Sequence, residues 1–117
     1  MVAVLFEVQP KPGCEAEYLH LAAALRPLVE KIDGFISVER FRSVSQEGKI
    51  LSLSFWRDEK AVARWREVYE HQKAQARGAL QIFENYRIRV LEVNPVRDYG
   101  MRERAEAPQE LAQLPVL

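Results

Sequence analysis

The segment ILSLSFWRDEKAVARWREVYEHQKAQ, residues 50–75, holds a strand, the signal that stops it and the helix that follows. Leu51, Leu53 and Phe55 alternate with Ser52, Ser54 and Trp56, the two-residue period of a pleated strand with unlike faces. Asp58 stands where a helix N-cap belongs. Its carboxylate can accept from the free amides of the first turn, and Glu59 adds negative charge at the positive end of the helix dipole. Downstream, Ala61, Val62, Trp65, Val68, Tyr69 and Gln72 recur at three- and four-residue steps, which turns one stripe of the helix inward. A strand ending in Trp56 and a helix carrying Trp65, Tyr69 and His71 form a candidate wall for a small-molecule pocket.

On the N-terminal side, Val2 to Val8 is a β-rich run closed by Gln9-Pro10-Lys11-Pro12-Gly13. Both of its faces are largely apolar, as in a central strand covered on two sides. Glu7 is the exception, an acid that reaches solvent near the strand end, is held by a partner or is functional. Glu15 to Lys31 reads as a helix with Tyr18, Leu21, Ala22, Leu25, Leu28, Val29 and Ile32 on its apolar stripe. Pro27 predicts a kink, or a break with a restart near Arg26, and Asp33-Gly34 predicts the helix end.

Phe35 to Val44 forms a second strand, with Phe35, Ser37, Glu39 and Phe41 on one face and Ile36, Val38, Arg40 and Arg42 on the other. Charges at 39, 40 and 42 mark it as an edge strand. A hairpin turn at Ser45–Gly48 leads into the strand at 50–56. The helix after it is expected to end near Gly78. A last strand covers Gln81 to Val93, with Tyr86, Ile88 and Val90 inward and Asn85, Arg87 and Arg89 on the other face.

The order β-α-β-β-α-β predicts an α+β, ferredoxin-like split βαβ fold, with two helices on one face of a four-stranded antiparallel sheet. The second sheet face stays bare. Leu5, Leu51, Leu53 and Phe55, with Phe35, Phe41 and Tyr86, supply more apolar strand surface than two helices can cover. A homodimer with sheets packed face to face is therefore expected. Residues 1–97 make up the domain, and the charged, alanine-rich stretch 98–117 reads as a C-terminal arm.

Bulk composition excludes several function classes. With 117 residues, 48% apolar and 29% charged, the chain is one soluble domain. Seventeen basic side chains balance seventeen acidic ones, so nothing draws the protein generally to nucleic acid or anionic membranes. Cys14, alone and followed by Glu15 and Glu17, offers neither a disulfide nor an activated thiolate. His20 and His71 lie too far apart for a metal-ligand spacing. MVAVLFEVQ lacks the pattern of a secretory leader and no run is long enough to span a bilayer, so a cytoplasmic location is expected.

The order of elements, with SFWRDEKAVARWREVYEHQKAQARGALQIFENYRIRVLEV, resembles the antibiotic biosynthesis monooxygenase family of dimeric α/β-barrel proteins. The shared marks are Phe55 and Trp56 at a strand end, the acidic pair Asp58-Glu59, then Trp65, His71, Ala74-Gln75, Gly78 and Tyr86 opening the last strand. They cover about residues 1–97. One branch of that family oxygenates electron-rich phenols without metal, flavin or haem. The resemblance then implies His71 and Trp65 as catalytic residues, and Trp56, Tyr69, Asn85 and Tyr86 as substrate-binding residues. A second branch binds and degrades haem, using an Asn on the first strand, a Trp on the second helix and a His ten residues beyond it. Here Trp65 is present, but Gln75 stands at the histidine position and Phe6 or Glu7 at the asparagine position. The resemblance thus implies a small aromatic or quinol substrate and no cofactor, with haem as the alternative. A third reading is a ligand-binding or stress-response module without chemistry. Each site residue also has an ordinary structural reading, Trp65 and Tyr69 as core and Trp56 as a staple between strand and helix.

Overall fold

The computed structural model describes residues 1–75, 81–101 and 103, and the side chains of 71–75 stand outside that description. Strand β1 (Val2–Pro10) is followed by helix α1 (Glu15–Val29), strands β2 (Phe35–Arg42) and β3 (Ile50–Trp56), helix α2 (Glu59–Gln75) and strand β4 (Phe83–Glu92). The four strands form one sheet in the order β2-β3-β1-β4, and every neighbouring pair runs antiparallel. β1 is thus central and β2 an edge, as their sequence patterns require. No described helix is long and apolar enough to cross a membrane. The expected helix end near Gly78 and most of the arm beyond 97 lie outside the described residues.

Local chemistry at the start of α2 follows the sequence closely. The amide of Ala61 donates to Asp58 Oδ1 at 2.9 Å, which caps the helix. Arg57 donates two bonds to the Asp33 carboxylate, at 3.2 and 3.1 Å, and its amide donates to the Gly34 carbonyl at 2.7 Å. Gly34 has φ of 95°, and a Cβ there would lie 2.7 Å from the Ala61 Cβ. The turn before β2 and the first turn of α2 therefore meet with no room for a side chain between them.

Two local expectations change. α1 runs through Pro27 without a restart and ends at Val29. Beyond it, Lys31 and Ile32 donate to Leu28 and Val29 in tighter three-residue bonds. Gly34 accordingly shapes the turn into β2 and does not cap the helix. In β2 the register shifts between Phe35 and Ser37, so Ile36 bulges out and is 52% exposed. That one extra residue places Phe35 on the same face as Val38 and Arg40, opposite to the simple alternation.

The helices pack on the sheet face carrying Val2, Val4, Phe6 and Val8 of β1. The core there is split. One cluster gathers Val2, Val29, Trp56 and Ala61; the other gathers Val8, Tyr18, Ile50, Ile82 and Phe83. Burying each of the larger apolar side chains contributes about 1.5–3 kcal/mol. The opposite sheet face carries Leu5, Leu51, Leu53, Phe55 and Phe41, with Phe41 and Leu91 exposed. Phe35 and Tyr86 belong to the helix side and drop out of that bare patch. Glu7 sits on the bare face and is partnered, with Lys49 Nζ at 3.5 Å and Arg89 Nη1 at 3.4 Å.

The Asp58 cap generates a prediction with a definite pH sign. The amide of Ala61, then the guanidinium of Arg57, holds the Asp58 carboxyl below its ordinary value. A depressed folded value means that the cap stabilises above the unfolded aspartate range and is lost as pH falls through the folded value. Asp58→Ala should lower the melting temperature by a few degrees at neutral pH, and Asp58→Asn by less. Thermal melts across pH should show the gap between Asp58→Ala and wild type closing in acid.

Candidate functional site

Between the two core clusters the helices stand off the sheet and leave a cavity of about 370 Å³. Its volume lies at the lower end of the range typical of small-molecule sites, ~300–1,000 Å³. The floor can be read from the register. Val38, Ser54, Val4 and Val90 form one row across the four strands, and Arg40, Ser52, Phe6 and Ile88 form the next. The roof comes from α1 through Leu21 and Leu25 and from α2 through Trp65 and Tyr69.

The hollow arises from side-chain size. On β3 the helix-facing positions are Ile50, Ser52, Ser54 and Trp56, large at both ends and small in the middle. Ile50 and Trp56 fill the space beneath the helices at each end, whereas the two serines cannot. Ser54 accepts a hydrogen bond from the Trp56 indole nitrogen at 2.8 Å, which satisfies the buried N–H and fixes the indole plane. The phenyl ring of Phe35 meets that indole edge-on at 5.2 Å between centroids.

The cavity opens along β4. Tyr86, Ile88 and Val90 line it and are nonetheless 46%, 57% and 42% exposed. A planar molecule entering there meets Tyr86 and Phe83, whose rings lie 6.2 Å apart, and then Tyr69 and Trp65, 6.3 Å apart. Burial, and after it the nearby charge of Glu70, pushes the Tyr69 phenol above its ordinary value. Tyr69 therefore stays protonated at neutral pH and serves as a hydrogen-bond donor, not as a base.

Four of the six residues that sequence reasoning singled out line this one space: Trp56, Trp65, Tyr69 and Tyr86. Asn85 does not. It lies on the other face of β4, exposed, and its Oδ1 accepts from the amide of Tyr86 at 2.9 Å. The His71 side chain lies outside the described residues, although the backbone of α2 continues through it. Among the described residues that line the cavity, none is a histidine or cysteine that would ligate a haem iron. Tyrosine oxygens, which can ligate haem iron, do line it, at Tyr18, Tyr69 and Tyr86.

Residues not singled out beforehand are Ser52, Ser54 and Arg40. The signal was in the sequence: two serines in the middle of a strand whose same-face ends are Ile and Trp. Arg40, a charge on the edge strand β2, also lines the cavity.

Comparison with known proteins adds the lineage. The family model described as antibiotic biosynthesis monooxygenase matches residues 1–77. A protein of Pyricularia oryzae named jasmonate monooxygenase ABM is 48% identical over 93 residues. That match covers 80% of this chain but 43% of the relative, so the chain spans less than half of that relative's length. An uncharacterized Bacillus subtilis protein is 30% identical over 95 residues, with 81% of each covered. Among solved structures, the Mycobacterium tuberculosis haem degrader MhuD with two haems bound superposes with a TM-score of 0.68 at 20% identity, covering 86% of this chain and 100% of that one. SnoaB, a cofactor-independent oxygenase of Streptomyces nogalater, gives 0.65 at 14% identity, covering 80% and 92%. At these identities the two structures speak for the shared fold.

Filling the hollow tests whether it is where ligands sit. Ser52→Leu should weaken quenching of tryptophan fluorescence by a naphthol more than tenfold and leave the melting temperature within a few degrees of wild type. Undiminished quenching would place the ligand elsewhere.

Proposed function

Because this chain belongs to the antibiotic biosynthesis monooxygenase family, we propose that it oxygenates a small, electron-rich organic molecule held flat in the cavity between helices and sheet. The observation that carries this reading is an aromatic slot, Trp56, Trp65, Tyr69 and Tyr86, set in a hollow that the sheet floor leaves unfilled. Of the two chemistries met in the family, cofactor-free oxygenation suits the lining better, since that lining offers rings and hydroxyls.

The reaction balances without an external reductant. A phenol bound in the slot loses its proton, and the anion's ring carbon forms a C–O bond to molecular oxygen. The resulting peroxide takes the first proton back from the base, and the hydroperoxide then loses its C–H proton as the O–O bond breaks, leaving a quinone carbonyl and water. One oxygen atom enters the product and the other leaves as water. His71 is the proposed base for the first proton, Trp65 and Trp56 hold the ring plane, and neutral Tyr69 donates to the developing oxyanion. The apolar walls exclude water that would protonate the carbanion.

Oxygen-electrode assays with naphthols and hydroquinones test this. Wild type should consume oxygen without added flavin, metal or haem. His71→Ala should lose on the order of 100-fold in turnover with an unchanged melting temperature. No uptake with any of these compounds, or uptake only after adding haemin, would overturn the cofactor-free reading.

The bare sheet face supports a homodimer as part of the same proposal. Leu5, Leu51, Leu53 and Phe55 form a contiguous apolar surface of the kind that association covers. Wild type should sediment at twice the mass of one chain. Leu53→Glu should sediment as a monomer with its far-ultraviolet dichroism retained.

A further inference from the structure

Arg40 is placed where an arginine has little reason to be. It belongs to the edge strand β2, from which a long side chain can reach water with ease. Its half-buried side chain lines the cavity, and its Nε is fully screened from solvent with no hydrogen-bond partner. Among the described residues no ion pair engages its guanidinium. A buried N–H without an acceptor costs free energy, and a native fold ordinarily avoids it.

The other charged side chains around the hollow sharpen the contrast. Arg26 is already paired with Glu30, Nε to Oε1 at 2.9 Å, at an exposed site. Arg66 and Glu70 lie near the rim on the exposed side of α2. Arg40 alone sits on the floor, in register with the buried hydroxyl of Ser52 and then with Phe6 and Ile88. That row has a cation at the β2 end and exposed apolar surface at the β4 mouth. Three inter-strand spacings separate the two ends, about 14 Å.

From this arrangement we infer that the ligand carries a carboxylate, which Arg40 receives at the β2 end of the cavity. The guanidinium supplies parallel N–H donors that match the two oxygens of a carboxylate, and the Ser52 hydroxyl stands beside it as a further donor. The ligand enters acid first past Tyr86 and Ile88. Its apolar body then lies across Phe6 beneath Trp65 and Tyr69. The occupant is an amphipathic organic acid with an unsaturated or aromatic body and a single acid end. This assignment rests on the proposed function for the identity of the site, and adds to it a substrate class and a specificity residue.

A matched set of probes tests it: a hydroxynaphthoic acid, its methyl ester and the parent naphthol, titrated against the fluorescence of Trp56 and Trp65. Wild type should bind the acid at least tenfold more tightly than the ester. Arg40→Gln should bring acid and ester to equal affinity while leaving the naphthol unchanged, and Arg40→Lys should restore part of the preference. Melting curves for both variants establish that they fold.

Equal binding of acid and ester by wild type would overturn the role of Arg40 and leave the pocket reading intact. Loss of the preference in Arg66→Ala but not in Arg40→Gln would overturn it as well. If none of the three probes quenches the tryptophans, the pocket reading falls and this inference with it.

Discussion

The helices of this protein touch the sheet at both ends and are held off it in the middle. Everything functional follows from that constraint. Trp56 with Val2, Val29 and Ala61 at one end, and Ile50 with Val8, Tyr18 and Phe83 at the other, are packed and largely dry. Protein interiors close up around missing volume only in part, so two rigid contacts with small side chains between them leave a lasting hollow. A single continuous core would be more stable and would have nowhere to hold a ligand.

The same division explains the electrostatics of the site. In a space walled by valines and aromatic rings, a polar group must find a partner or remain neutral. The Trp56 indole finds Ser54, and the Tyr69 phenol keeps its proton. Arg40 Nε does neither, and its charge is the strongest feature of the floor. Outside the hollow the charges behave as surface charges do. The Arg57–Asp33 contact is well formed but exposed, and solvent screening keeps its contribution small.

Belonging to a monooxygenase family bears on these features without dictating them. The same fold is found in the haem degrader MhuD and in the cofactor-independent oxygenase SnoaB, so fold alone does not choose the chemistry. In this chain the lining is aromatic above and partly polar below, with Arg40 at the β2 end of the floor.

Much of this was legible in the sequence, and the reasons for the rest are specific. Element order, the central place of β1, the edge place of β2 and the Asp58 cap all follow from local periodicity and capping, which depend on neighbours within a few residues. Trp56, Trp65 and Tyr69 could be named as one wall from the strand end and the helix stripe, and the family resemblance added Tyr86. Two things needed the tertiary structure. The bulge at Ile36 reverses the face of Phe35, and no alternation pattern reports an extra residue. Arg40 turns inward because its row partner is a small serine, a relation fixed by strand register between positions twelve residues apart. Sequence by itself determined which segments form and which side of each is apolar. Only the folded sheet decided which apolar side meets the helices and where they fail to meet it, because size complementarity across strands is a property of pairs that the linear order keeps apart.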